Sequence, residues 1–211
     1  MDLTTEFKKT EITGSFDWQL TQEINVTNEQ GDVIAKAELE IITLNKHRGA
    51  VESYELLDSD NEATDWEIPL NLYFKGQNLS PVMCELLAVT PNTKKAQSHI
   101  MLEALSVLPT YRKQGVAKFL LKEIATQYEK AQSITIMSMP MHLFVDADDC
   151  QTQDSKGYYQ ALELKSNETS RDELQQFFVN AGFINYEVDA SLLAEPLSYD
   201  ILVSTPEKLL A

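Results

Sequence analysis

The run Ala104-Leu105-Ser106-Val107-Leu108-Pro109-Thr110-Tyr111-Arg112-Lys113-Gln114-Gly115-Val116-Ala117-Lys118-Phe119-Leu120-Leu121 changes its periodicity halfway through. Before it, His99 to Val107 is an apolar run of strand length, which Pro109 closes. After it, Val116, Phe119, Leu120, Ile124 and Tyr128 fall on one helical stripe, with Lys118, Lys122, Glu123 and Glu129 largely elsewhere. Ser133 to Met139 then reads as a short buried strand. Strand, tight loop, helix and strand in that order spell a parallel βαβ unit, whose loop presents free backbone N–H groups and the positive end of a helix dipole. Gly115 lets a ligand approach without a Cβ in the way, and Ala117 keeps the first turn narrow. Arg112, Lys113 and Lys118 supply positive charge there, so the loop is built to hold an anion.

Working towards the N-terminus, Met83 to Thr90 reads as a strand that forms a hairpin with the run from His99, across the turn Pro91 to Lys95. Leu70 to Phe74 reads as a further strand, Asn61 to Asp65 as loop and Val51 to Leu57 as helix. Phe16 to Val26 and Val33 to Ile42, separated by Asn28-Glu29-Gln30-Gly31-Asp32, read as an N-terminal hairpin. Towards the C-terminus the pattern dissolves into polar and acidic residues from Met141 to Ser170, a stretch read as an insertion that includes Asp146, Asp148 and Asp149. Arg171 to Asn180 regains helical spacing, with Gly182 as its stop. Phe183 to Val188 and Leu197 to Ser204 read as the last strands.

The chain has 211 residues, 43% of them hydrophobic and 24% charged, the size and composition of one folded α/β domain, 1–211, with an insertion at 141–170. A formal charge of −16 argues against a broad nucleic-acid surface and makes a cationic partner easier to accommodate. Cys84 and Cys150, the two cysteines, lack the number for a disulfide framework and the spacing for a zinc site, so no metal is expected. The N-terminal residues lack an apolar signal core and no stretch approaches the roughly 20 apolar residues of a membrane span. A cytoplasmic location, with no membrane partner, is the expectation.

The loop is neither a nucleotide-hydrolase P-loop, which needs Lys-Ser/Thr after its second Gly, nor a three-glycine dinucleotide loop. It resembles the acyl-CoA signature of the GNAT superfamily of N-acetyltransferases: Arg or Gln, two residues, Gly, one residue, then Gly or Ala, set behind a strand and at the mouth of an amphipathic helix. A second similarity lies at Leu174 to Phe183, which resembles the family's penultimate helix running into a Gly-Phe strand start. The resemblance covers about His99 to Asp189. It implies an α/β acyl-CoA N-acyltransferase fold, a mixed central sheet of about six or seven strands flanked by helices. It also implies acetyl-CoA as co-substrate, with Leu105 and Val107 meeting the pantetheine or acyl group and Arg112, Lys113, Gln114, Gly115, Val116 and Ala117 forming the cofactor loop. The acceptor it implies is a primary amine on a small molecule or peptide, and a homodimer is compatible with it.

An amine must lose a proton to attack a thioester, so a base is needed. Strand alternation puts Met101, Glu103, Leu105 and Val107 on one face, which makes Glu103 the candidate general base, its pKa raised by apolar neighbours. His99, on the same expected face, and His142 are alternatives of lower weight, read as surface histidines. The resemblance places a thiolate-protonating Tyr at the position held by Phe178, so Tyr158, Tyr159 and Tyr186 become the substitute acids. Met137, Met139 and Met141 are read first as core filler and second as a lining for an acyl chain or apolar acceptor. Two other readings stand beside the enzyme: a catalytically silent acyl-CoA sensor and an acidic interaction module on the same fold.

Overall fold

The computed structural model describes residues 2–9, 16–59, 66–90, 96–143, 153–163, 170–189, 191 and 197–211. In chain order the elements are β1 (Thr4–Lys9), β2 (Gln19–Thr27), β3 (Val33–Leu44), α1 (Ala50–Ser59), α2 (Glu67–Leu72), β4 (Phe74–Lys75), β5 (Asn78–Leu79), α3 (Pro81–Leu87) and β6 (Gln97–Val107). They continue as α4 (Val116–Gln127), β7 (Ser133–Ser138), α5 (Gln153–Ala161), α6 (Arg171–Asn180), β8 (Ile184–Asn185), β9 (Asp200–Ser204) and α7 (Pro206–Leu210), with single 3-10 turns at Pro109–Tyr111 and Met141–Leu143. Among the described residues, seven strands form one mixed sheet in the order β1-β2-β3-β6-β7-β9-β8, and β4-β5 is a separate small hairpin. All neighbours in the large sheet are antiparallel except β6 and β7. The expected βαβ unit is therefore β6-α4-β7, and the mixed sheet has the expected size. Among the described residues no helix is long and apolar enough to cross a membrane.

Helices cover both faces of the sheet. On one side Val116, Leu120, Leu121, Ile124 and Ala125 of α4, with Phe178 of α6 and Leu209 of α7, bury against Ile24, Leu39, Ile100, Leu102 and Ile134. Val116, Leu120 and Ile124 of the stripe read from the sequence are buried, Phe119 and Tyr128 are partly so, and this burial rather than intrinsic propensity holds α4 in place. On the other side Leu57, Trp66 and Leu70 pack on Ile42, Leu44 and Met101, and Met83 and Leu87 pack with Tyr73, Ile201 and Val203.

Three expectations are corrected. Met83 to Thr90 is no strand, because its first residues form α3: Ser80 caps the helix by accepting from the Met83 N–H, and Pro81 occupies the first turn. There is accordingly no hairpin with β6. Leu70 to Phe74 is mostly helical, since Leu70 and Tyr73 close backbone bonds to Trp66 and Pro69, and only Phe74 enters a two-residue strand. The strand expected over Phe183 to Val188 shortens to Ile184–Asn185, paired with β9 alone. The 141–170 stretch contains helix α5. The loop 61–65, the turn 91–95, the acidic run Asp146, Asp148 and Asp149, and Cys150 lie outside the described residues.

Candidate active site

The sheet opens where β6 and β7 part. Their parallel pairing runs only from His99 with Ser133 to Met101 with Thr135, while β7 continues to Ser138 paired with β9. From Leu102 to Val107, β6 keeps its partner on the β3 side, and among the described residues no strand pairs with its edge towards β7. An extended, amide-bearing ligand fits such an edge, because it offers the hydrogen bonds that a neighbouring strand would.

At the same place β6 gains a residue. Leu39 pairs with Leu102 and Glu38 with Ala104, so Glu103 is the extra residue of a β-bulge. The bulge turns the strand over. Met101 packs with Trp18, Ile42 and Trp66 on one face, whereas Leu105 and Val107 pack with the α4 cluster on the other. The expectation that Met101, Glu103, Leu105 and Val107 share a face is therefore corrected, because alternation holds only in an unbulged strand.

Two cavities flank the bulge. One, of about 130 Å³, includes Leu105, Val107, Arg112, His142 and Phe178 in its wall. The other, of about 340 Å³, includes Glu38, Met101, Tyr159 and Tyr199. Glu103, Ala104, Met137, Met139 and Met141 line both, so the two are halves of one cleft with Glu103 at their junction. The three methionines are thus cavity wall rather than core filler alone.

The loop beyond β6 is shaped by two left-handed residues, Lys113 at φ 59° and Gly115 at φ 84°. Among the described residues, no atom beyond its two chain neighbours lies within 4 Å of where a Cβ on Gly115 would stand. Gly115 is the N-cap of α4, and Phe119 N–H makes the first intrahelical bond to its carbonyl. The N–H groups of Val116, Ala117 and Lys118 therefore lack intrahelical acceptors. This donor set, at a dipole's positive end and beside Lys113, suits the pyrophosphate of an acyl-CoA. Arg112 does something different. Its Nε donates to the Val107 carbonyl at 3.0 Å and its Nη2 to the Leu162 carbonyl at 3.1 Å, tying the loop to the end of β6 and to the turn after α5. Gln114 likewise turns back, its Nε2 donating to the Thr110 carbonyl at 2.7 Å.

The three tyrosines differ in position. Tyr158 is buried, its hydroxyl 3.0 Å from the Ser106 hydroxyl, and burial pushes its pKa up to about 12. Tyr159 lines the larger cavity and donates to Glu38 Oε1 at 3.1 Å. Tyr186 packs edge-on against Tyr73 at 4.9 Å, in the cluster with Met83 and Val203, and lines neither half of the cleft. Phe178 is buried in the wall of the smaller cavity, against Phe177 and Phe183.

His99 is not a surface residue. It is fully enclosed, edge-on to Phe74 at 4.6 Å, with Nδ1 2.9 Å from the Ser133 hydroxyl, and desolvation lowers its pKa to about 3. It precedes the bulge and lines neither half of the cleft. His142, by contrast, stands in the smaller cavity's wall.

Sequence reasoning missed Glu38 and Tyr199. The signal for Glu38 was present: Lys36, Glu38 and Glu40 alternate on one face of a strand that lies inside the sheet, where charge needs a purpose. Tyr199 carried no local signal, being brought to the cleft by the chain's return through β9.

Residues 78–163 match the model of the Acetyltransferase (GNAT) family. No curated protein matches the chain in sequence. Among solved structures it is similar to one described as a bacterial toxin, with 11% identity over 90% of this chain and 70% of the other and a TM-score of 0.43. It is also similar to arylalkylamine N-acetyltransferase 2 from Aedes aegypti, with 14% identity over 87% of this chain and 73% of that one and a TM-score of 0.40. A third is the polyamine N-acetyltransferase of Drosophila melanogaster, with 15% identity, 86% and 71% coverage and a TM-score of 0.34.

Proposed function

We propose, from the match of residues 78–163 to the Acetyltransferase (GNAT) family, that the chain transfers an acetyl group from acetyl-CoA to a primary amine. The observation that carries this reading is the cleft at the parting of β6 and β7, which reaches Arg112 of the loop before α4 at one end and has Glu103 midway. Bound acetyl-CoA supplies a thioester carbonyl. The N–H groups of Lys113 to Ala117 hold its pyrophosphate, and the unpaired edge of β6, from Leu102 to Val107, holds the pantetheine arm and donates to the oxyanion. Glu103 takes the proton from the attacking ammonium, directly or through a water. The free amine's nitrogen then forms its bond to the carbonyl carbon and gives up its second proton to solvent, the carbon–sulfur bond breaks, and the thiolate takes a proton from solvent. A thiol with a pKa of about 8.5 is a fair leaving group, so Phe178 in place of a hydroxyl slows this last step without forbidding it.

Phe178 also favours the second reading, an acyl-CoA sensor that does not turn over. Free-thiol release from acetyl-CoA, followed against a panel of amines, separates the two. Amine-dependent release supports the transferase; tight acetyl-CoA binding with release no faster than hydrolysis supports the sensor.

A further inference from the structure

The larger half of the cleft has a chemistry that specifies more than an amine. Its only charged side chains among the described residues are two carboxylates, Glu38 and Glu103. They stand side by side on neighbouring strands, because Glu38 pairs with Ala104, the residue next to Glu103. The Tyr159 hydroxyl donates to Glu38 Oε1 at 3.1 Å, fixing that carboxylate's position. Around them the wall is made of thioethers and rings: Met101, Met137, Met139, Met141, Tyr159 and Tyr199.

From this arrangement, and resting on the acyl-transfer reading above, we infer that the acceptor is a primary amine carried on an apolar body, an arylalkyl- or alkylamine, with Glu38 as the residue that anchors its ammonium group. Two adjacent carboxylates receive one ammonium: Glu38 holds it, and Glu103, at the junction with the acyl half, removes its proton. A polyamine needs carboxylates spaced along the cavity at the intervals of its charges, and the described wall has them at one place only. Its remaining charges would face methionine, which cannot solvate them. An apolar body instead fills a space of about 340 Å³ whose methionines adapt to its shape and whose wall also carries the rings of Tyr159 and Tyr199.

The test is calorimetric binding of 2-phenylethylamine, hexylamine, spermidine and the uncharged 2-phenylethanol to the full chain, beside thiol release from acetyl-CoA with the same compounds. The two apolar amines are expected to bind about tenfold or more tighter than spermidine, and the alcohol to bind about tenfold or more weaker than its amine. Glu38→Gln is expected to weaken both apolar amines by about tenfold while Glu38→Asp restores part of the loss. Met139→Lys, which places a cation in the wall without altering β3, is expected to weaken them similarly. Tighter binding of spermidine, equal binding of amine and alcohol, or unchanged affinity in both Glu38→Gln and Met139→Lys would overturn the assignment. The expected binding order without thiol release leaves the apolar-amine site and its Glu38 anchor standing and sinks the transferase reading; release with spermidine alone does the reverse.

Discussion

Arg112 donates from Nη2 to the carbonyl of Leu162 at 3.1 Å, so a residue of the loop before α4 holds the end of α5, the helix that carries Tyr159 into the larger half of the cleft. The two halves are joined by this contact as well as by Glu103.

Removing that tie should be felt in stability before chemistry. Arg112→Ala leaves the Val107 and Leu162 carbonyls without a charged donor, an expected cost of about 2 kcal/mol, read as a lower midpoint in urea. Arg112→Lys should recover little, since one ammonium cannot reproduce two donors held in a planar fork. A midpoint equal to wild type in the alanine variant would mean that the tie is unimportant.

Glu103→Gln separates binding from turnover. It keeps the size of the bulged residue and removes only its basicity, so kcat is expected to fall about a hundredfold while acetyl-CoA affinity stays unchanged. Plotted against pH, the wild-type limb that rises with deprotonation of the base should vanish in the variant. An unaltered kcat moves the proton acceptor elsewhere, His142 in the smaller cavity being the next in position.

His99 makes stability depend on acid. Folded, it is neutral with a pKa near 3, because burial penalises its cation; unfolded, it takes up a proton below about 6.5. The unfolded chain binds more protons between those values, so its contribution is complete above about pH 6.5 and is lost as pH falls towards 3, at about 1.4 kcal/mol per pH unit. Unfolding free energies at pH 7.5 and pH 5 should therefore differ by about 2 kcal/mol more in wild type than in His99→Gln. Equal differences in the two proteins would contradict the buried neutral state.

What the sequence made readable, and what it hid, follows from the range of the forces involved. The β6-α4-β7 unit was legible because its signals are local: an apolar run, Pro109, Gly115 and a stripe of 3.6 periodicity. Helix α3 was misread although Ser80-Pro81 is a helix start, because the apolar residues after it suit a short strand equally well. The bulge at Glu103 could not be read at all, since it exists only in the register between β6 and β3, about 65 residues apart in the chain. Reading the strand as unbroken gave Glu103 its place near the acyl end, but also put Met101 and His99 on the wrong face relative to Leu105. Tyr199 enters the cleft by sheet order, which one strand's pattern does not contain, whereas Glu38 left a partial signal in the alternation of Lys36, Glu38 and Glu40.

The central claim is that the loop at Lys113 to Ala117 holds acyl-CoA, and the melting temperature with and without acetyl-CoA tests it most directly when wild type is run beside Gly115→Glu. Ligand at 100 times its Kd stabilises a native state by about 2.7 kcal/mol, so the wild-type transition should move clearly upward. The variant adds a side chain at φ 84° and a negative charge beside the phosphates, so it should melt lower on its own and show no shift. No shift in wild type at millimolar acetyl-CoA, or an equal shift in both proteins, would contradict the assignment of the loop.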